Sequence, residues 1–285
     1  MNLLKKNIRK ELFSYSWPLI FLGISSSIMP QIDSFTIGYF KGTLDVGIYN
    51  AAIPIAWLIA FFPSLFTRLF FPLVTKEFSK KNLGVVKELS KQVIKWILIV
   101  NLPFFLLMML FPGVFINILF GSEYLGAENS LRFLAIAYLF SSITVIFYNL
   151  ISMIGKSKLI LTNIVAISLL NLILNIFLVP IYGISGAAFA TMISQIILSL
   201  IFFFQTKYYV SIVPLKRKMW GILFSIIPPT ILLIYLKKFI AINLLTLFLQ
   251  GSLFILFYLF LIFITSSLDK NDIMILETIK KKIIT

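Results

Sequence analysis

Between Lys158 and Lys207 lie 48 consecutive residues without a charge. No other feature constrains this chain as strongly. A membrane-crossing helix needs roughly 20 mostly apolar residues, so this run is long enough for two. Six more uncharged runs follow the same rule: 21 residues between Glu11 and Asp33, 22 between Asp45 and Arg68, 27 between Lys95 and Glu123, 23 between Arg132 and Lys156, 18 between Lys218 and Lys237, and 30 between Lys238 and Asp269. Strict apolar/polar alternation, the mark of barrel strands, is absent from them. The reading is therefore an all-α integral membrane protein with eight transmembrane helices. They are expected at about 12–39, 46–75, 90–112, 127–154, 159–179, 184–206, 218–236 and 243–266. The turn inside the longest run is expected at Val179-Pro-Ile-Tyr-Gly-Ile-Ser-Gly186, where Pro and Gly break the helical pattern.

Composition agrees. Hydrophobic residues make up 60% of the 285, charged residues 12%, and the mean hydropathy is +1.03. That balance excludes a water-soluble enzyme, whose surface needs about twice the charge. The 30 Phe, 11 Tyr and 4 Trp exclude disorder. With His 0 and Cys 0 there is no imidazole or thiolate chemistry and no disulfide framework, and no cofactor is called for. The first apolar run follows Lys5, Lys6, Arg9 and Lys10. It is too long for a cleaved signal and lacks a small-residue cleavage motif, so it is expected to be a true span.

The net charge of +15 resolves into topology. With the N-terminus inside and eight helices threaded, 20 of the 25 basic residues fall in cytoplasmic segments; Lys41, Arg132, Lys237 and Lys238 fall outside, and Arg68 lies within a span. This is a positive-inside pattern. It predicts a multi-pass protein of the cell (cytoplasmic) membrane with both termini cytoplasmic, and it gives the lysines membrane lipids rather than nucleic acid as partners. After Asp269, Ile275, Ile279 and Ile283 share a helical face ahead of Lys280, Lys281 and Lys282. Either an interfacial helix or a frayed basic tail fits that pattern.

Two ionisable residues stand inside spans, where charge is expensive and marks function by default. Asp33 is read about seven residues, roughly 10 Å, from the outer end of the first span, and Arg68 about eight residues, roughly 12 Å, from the inner end of the second. One reading gives Arg68 an anionic substrate group such as a phosphate, and gives Asp33 a proton or cation taken up in step with a transport cycle. Others make the two a structural ion pair, or let Arg68 snorkel to the inner headgroups. Gln31, Asn50, Asn101, Asn149, Asn163, Asn171, Asn175 and Gln195 form a weaker layer: cavity wall or interhelical hydrogen bonds. Gln31 and Asn50 join Arg68 as the candidate cavity residues. Pro18, Pro30, Pro54, Pro63 and Pro72 crowd the first two spans and Pro228-Pro229 the seventh, which predicts bent helices; the second span is read as a cavity-lining helix that moves. Gly186 and Ala190 are expected to make a small-residue packing face.

Several ordered blocks carry a resemblance. They are Phe13-Ser-Tyr-Ser-Trp-Pro18, Asp33-Ser-Phe-Thr-Ile-Gly-Tyr-Phe40, Asp45-Val-Gly-Ile-Tyr-Asn-Ala-Ala52, Leu119-Phe-Gly-Ser-Glu-Tyr124, Leu131-Arg-Phe-Leu-Ala135, Gly155-Lys-Ser-Lys158 and Asn175-Ile-Phe-Leu-Val-Pro-Ile-Tyr-Gly-Ile-Ser-Gly-Ala-Ala188. Over roughly residues 10–210 the set resembles the flippases of the polysaccharide-biosynthesis family, within the multidrug/oligosaccharidyl-lipid/polysaccharide exporter superfamily. The resemblance implies two six-helix lobes around a cavity, often with two further C-terminal helices, and movement of polyprenyl-linked oligosaccharides from the cytoplasmic to the outer leaflet by alternating access. Eight helices match the second lobe of such a MATE-like transporter plus the extra pair. The implied division is a basic cytoplasmic segment over 1–11, a six-helix lobe over 12–210, two additional transmembrane helices over 211–268 and a cytoplasmic interfacial tail over 269–285. A missing N-terminal lobe or a second chain is then expected as partner. Three other functions compete. An organic-cation antiporter of the same superfamily needs an acidic or aromatic cavity, for which Asp33 is the clearest acid. A membrane enzyme is disfavoured, because Glu123 and Glu128 read as ordinary loop acids. A non-transporting scaffold subunit fits the short length.

Overall fold

The computed structural model describes residues 31–211, 218–237 and 244–265, and there it is all helix. The basic segment over 1–11, the start of the first span with Pro18 and Pro30, and the 269–285 tail lie outside the described residues. Helix α1 covers residues 31–41 and α2 Thr43–Ser79, joined by a single residue, Gly42, at φ 94°. That left-handed angle suits glycine, which has no Cβ to clash. Then come α3 Leu83–Leu110, a short α4 Pro112–Phe120, a 3-10 turn Ser122–Ala127 and α5 Glu128–Met153. Helix α6 runs over Ser157–Val210, followed by α7 Lys218–Ser225, α8 Ile227–Lys237 and α9 Leu244–Ile264.

Five of the described helical segments are long and apolar enough to cross a membrane. The 54-residue α6 would be roughly 80 Å long if straight. It is broken at Gly183, whose φ 57°, ψ −139° lies outside the helical region. The turn expected over Val179–Gly186 is thus a break at one residue. The single span expected over 218–236 is divided as α7 and α8, because Pro228 and Pro229 bring no N–H to the carbonyls one turn back. By contrast α2 stays helical through Pro54, Pro63 and Pro72. Helix α4 was not anticipated; Pro112 at its first turn fits a position whose N–H has no helical partner.

Helix α5 is central, packing on α6, α2 and α3. Two apolar cores stack along the bundle. One, with Phe70, Val86, Ile94, Leu150, Ile151 and Ile160, sits at the end that carries Lys80, Lys81, Lys156 and Lys158. The other, with Ile37, Ala52, Ile55, Leu131, Val179 and Ala187, sits at the opposite end. A third core joins α3 to α7–α9 through Leu102, Ile222, Phe254 and Tyr258. Lys237 of α8 strengthens that union: its ammonium donates to the Leu110 carbonyl at 2.7 Å, and Arg132 donates to the Met109 carbonyl at 3.3 Å. Both are cations at the carbonyl-rich end of α3, where positive charge is favoured.

The break in α6 also frees a carbonyl. Lys41, at the tip of the α1–α2 hairpin, donates to the Pro180 carbonyl at 3.0 Å. Gly186 was expected to pack against a neighbouring helix. Its tightest neighbour lies across the break, at the end of the first half of α6: a Cβ there would overlap the Leu178 carbonyl and press on Tyr182. Gly186→Ala is therefore expected to lower stability by about 1–3 kcal/mol, read as a fall in the thermal unfolding midpoint in detergent; an unchanged midpoint would refute the close approach.

Candidate functional site

Asp33 is the third described residue of α1 and is 4% exposed. Its carboxylate receives three hydrogen bonds from three other places in the chain. The Tyr49 hydroxyl on α2 and the Thr191 hydroxyl on α6 each donate to Oδ2 at 2.6 Å, and the Asn175 amide on α6 donates to Oδ1 at 2.8 Å. Asn171, one turn before Asn175, donates to Thr191 Oγ1 at 3.1 Å. Asn171, Asn175 and Tyr49 are fully buried. Asn175 also reaches the Asn171 carbonyl at 3.0 Å, while its own Oδ1 is buried and accepts nothing.

The local sequence explains the geometry. Gly42 folds α1 back on α2, which sets Asp33 level with Tyr49. The break at Gly183 turns the second half of α6 back along the first, which brings Thr191 to Asn171 and Asn175. No Lys or Arg among the described residues pairs with Asp33. An ionised carboxylate held away from water is costly unless hydrogen-bonded and neutralised. Three donors supply the first need. A proton or small cation would supply the second, and the oxygens of Asp33, Asn171, Asn175, Tyr49 and Thr191 are hard ligands of the kind such cations take.

Asp33 also borders a cavity of about 370 Å³ between α2, α5 and α6. Its walls include Tyr49, Tyr138, Tyr148, Thr191, Gln195 and Phe202. The other candidate residues lie elsewhere. Gln31, Asn50 and Arg68 are all exposed. Asn50 accepts from Ser34 at 3.1 Å, on the side of the hairpin away from the Asp33–Tyr49 bond. Asn50 and Arg68 are 18 residues apart on α2, five whole turns, so they point the same way about 27 Å apart along the axis. Between them the same exposed face carries Pro54, Trp57, Phe61 and Leu65, with Trp57 and Phe61 in ring contact at 5.8 Å.

The ion pair between Asp33 and Arg68 is not formed. Asp33 stands nine residues before Gly42 and Arg68 26 after it, so in a hairpin they are at different depths. Counting from Tyr49, Arg68 is about 28 Å further along α2. Tyr49 and Thr191 were missed by sequence reasoning. Tyr49 sits beside a residue that was singled out, Asn50; Thr191 had no local signal, because only the break at Gly183 brings it near. Asn171 and Asn175 were legible as a pair one turn apart, and here they hydrogen-bond across the break and to Asp33.

Residues 3–129 match the family described as polysaccharide biosynthesis protein. Relatives extend the likeness beyond that stretch. A probable low-salt glycan biosynthesis flippase of Haloferax volcanii is 29% identical over 189 residues, 66% of this chain and 40% of that protein. The lipid II flippase of Bacillus subtilis is 26% identical over 215 residues, 68% of this chain and 38% of that protein. The chain is thus similar to the polysaccharide-biosynthesis family and to flippases. An uncharacterised membrane protein of Methanocaldococcus jannaschii is 32% identical over 198 residues, 68% of this chain and again only 38% of the relative. The chain thus spans less than half the length of the curated relatives it matches. No solved structure matches it. Apolar helices and the family likeness together make it a multi-pass membrane protein.

Proposed function

We propose that this chain is the second lobe of a flippase for lipid-linked oligosaccharides, with α7–α9 as its additional C-terminal elements. The observation that carries the reading is the exposed face of α2. Asn50, Trp57, Phe61 and Arg68 lie along it for about 27 Å, close to the thickness of an apolar membrane core. Polar and cationic groups facing lipid are costly. Facing a cavity completed by a first lobe or a second chain, they are useful. Arg68 would hold a phosphate of the polyprenyl-linked substrate by charge-assisted hydrogen bonds. Gln31 and Asn50 would line the saccharide path, and the aromatic rings would stack on sugar faces. The lipid tail would stay in the membrane beside the helices.

Asp33 is placed on the far side of the same hairpin, hydrogen-bonded to both halves of α6. A proton or cation bound there changes the charge at the junction of α1, α2 and α6, which is how uptake would bias alternating access. The basic residues at one end, Lys80, Lys81, Lys156, Lys158 and Lys207, support a cytoplasmic face there in the cell membrane, with both termini on that side.

The test is leaflet accessibility of a labelled polyprenyl-linked oligosaccharide in vesicles, with this chain alone and with a first-lobe partner supplied. Transfer is expected when the cavity is complete. Absence of transfer in both conditions would overturn the reading.

A further inference from the structure

The cavity beside Asp33 extends along the bundle in one direction. On α5 its lining begins at Leu134 and ends at Tyr148, 14 residues or about 21 Å along the axis. On α6 it runs from Thr191 to Phe202. Both helices therefore carry it away from Asp33 toward the end where Lys156 and Lys158 begin α6 and Lys207 nears its close. A polar line follows it: Tyr138, Ser141, Thr144 and Tyr148 on α5, with Thr191 and Gln195 on α6. Ser141, Tyr148 and Gln195 are only half-buried. In the other direction Asp33 meets a wall. Ile37, Val179, Ala187, Ala188 and Leu131 are fully buried there, and Lys41 ties the hairpin tip to the α6 break beyond them.

We infer that this cavity is a one-sided path connecting Asp33 with the lysine-bearing face, and that it serves to release the small monovalent cation or proton carried by Asp33. The inference rests on the reading of Asp33 as the coupling group. Hydroxyl and amide side chains spaced about one turn apart offer successive oxygen partners to a hydrated ion or to waters relaying a proton. Apolar side chains such as Ile53, Leu134 and Leu198 keep the path narrow. The lysines of that face lower the local concentration of free cations, which disfavours capture from that side. Loading of Asp33 then belongs to a state in which the opposite wall has opened.

The chain has no cysteine, so single cysteines can be introduced without background. Gln195→Cys and Ser141→Cys probe the path, Ala187→Cys the sealed side, and Lys80→Cys marks the lysine-bearing face. In proteoliposomes, a membrane-impermeant cationic thiol reagent is expected to label Gln195→Cys and Ser141→Cys from the side that labels Lys80→Cys, with loss of labelling from the other side. Ala187→Cys should stay unlabelled from both until the protein is denatured. Adding Ser141→Trp to Gln195→Cys should block the label, with the unfolding midpoint confirming an intact fold. Protection of Gln195→Cys by sodium ions at constant pH points to a metal cation as the cargo, and unchanged labelling to a proton. Labelling from the opposite side, or of neither path cysteine in folded protein, overturns the path. The outcome is independent of transport: if Asp33→Asn transports normally, the coupling role fails while the accessibility result still stands.

Discussion

Asp33→Asn is expected to bring transport down by about a hundredfold or more, the equivalent of roughly 3 kcal/mol lost from a charge-dependent step. The substitution is nearly isosteric. The Tyr49 and Thr191 hydroxyls can each rotate, so the amide oxygen still accepts a hydrogen bond and the amide nitrogen finds the free Oδ1 of Asn175. Folding should therefore survive, with a stability change within about 2 kcal/mol in either direction. What is lost is the negative charge, and with it any reason for a proton or cation to occupy the site. Two measurements check this: substrate flipping in vesicles, and the response of flipping to an imposed ion gradient. Wild-type flipping that still follows the gradient would show that coupling lies elsewhere. A collapsed unfolding midpoint would show that Asp33 holds the bundle together instead.

Arg68→Ala is expected to reduce transport about ten- to a hundredfold, the loss of one hydrogen-bonded charge contact worth about 1.5–3 kcal/mol. Stability should hold within about 0.5 kcal/mol, because Arg68 is exposed. Arg68→Lys should recover part of the activity, since a lysine keeps the charge but loses the planar fork that grips a phosphate at two points. This pattern is opposite to that of a structural ion pair, where alanine would destabilise the fold. Wild-type transport by Arg68→Ala would remove the arginine from the substrate path.

The two variants separate two places that the chain keeps apart. In the sequence Asp33 and Arg68 stand out for one reason, charge within an apolar run, and counting inward from expected helix ends put both near mid-membrane. The hairpin at Gly42 sets the two at different depths. Depth is set by distance from the turn, and those distances are nine and 26 residues. Spacing within one helix was more dependable. Asn50 and Arg68, five turns apart, share a face as the helical period requires, and Asn171 and Asn175 meet as neighbouring turns do.

The uncharged runs, by themselves, determined that this chain is a multi-pass helical membrane protein, because lipid leaves the backbone few other ways to satisfy its hydrogen bonds. They also placed α5 and α9 to within two residues, though α3 begins seven residues before its expected start and α4 was not anticipated, and they marked Asp33 as a group that does not belong in lipid without partners. Which partners it has was decided by the tertiary structure. Tyr49 reaches it through a one-residue turn, and Thr191 through a break at a single glycine 150 residues along the chain from Asp33. Contacts of that range depend on how helices are turned against one another, and no local pattern of apolar and polar residues encodes them.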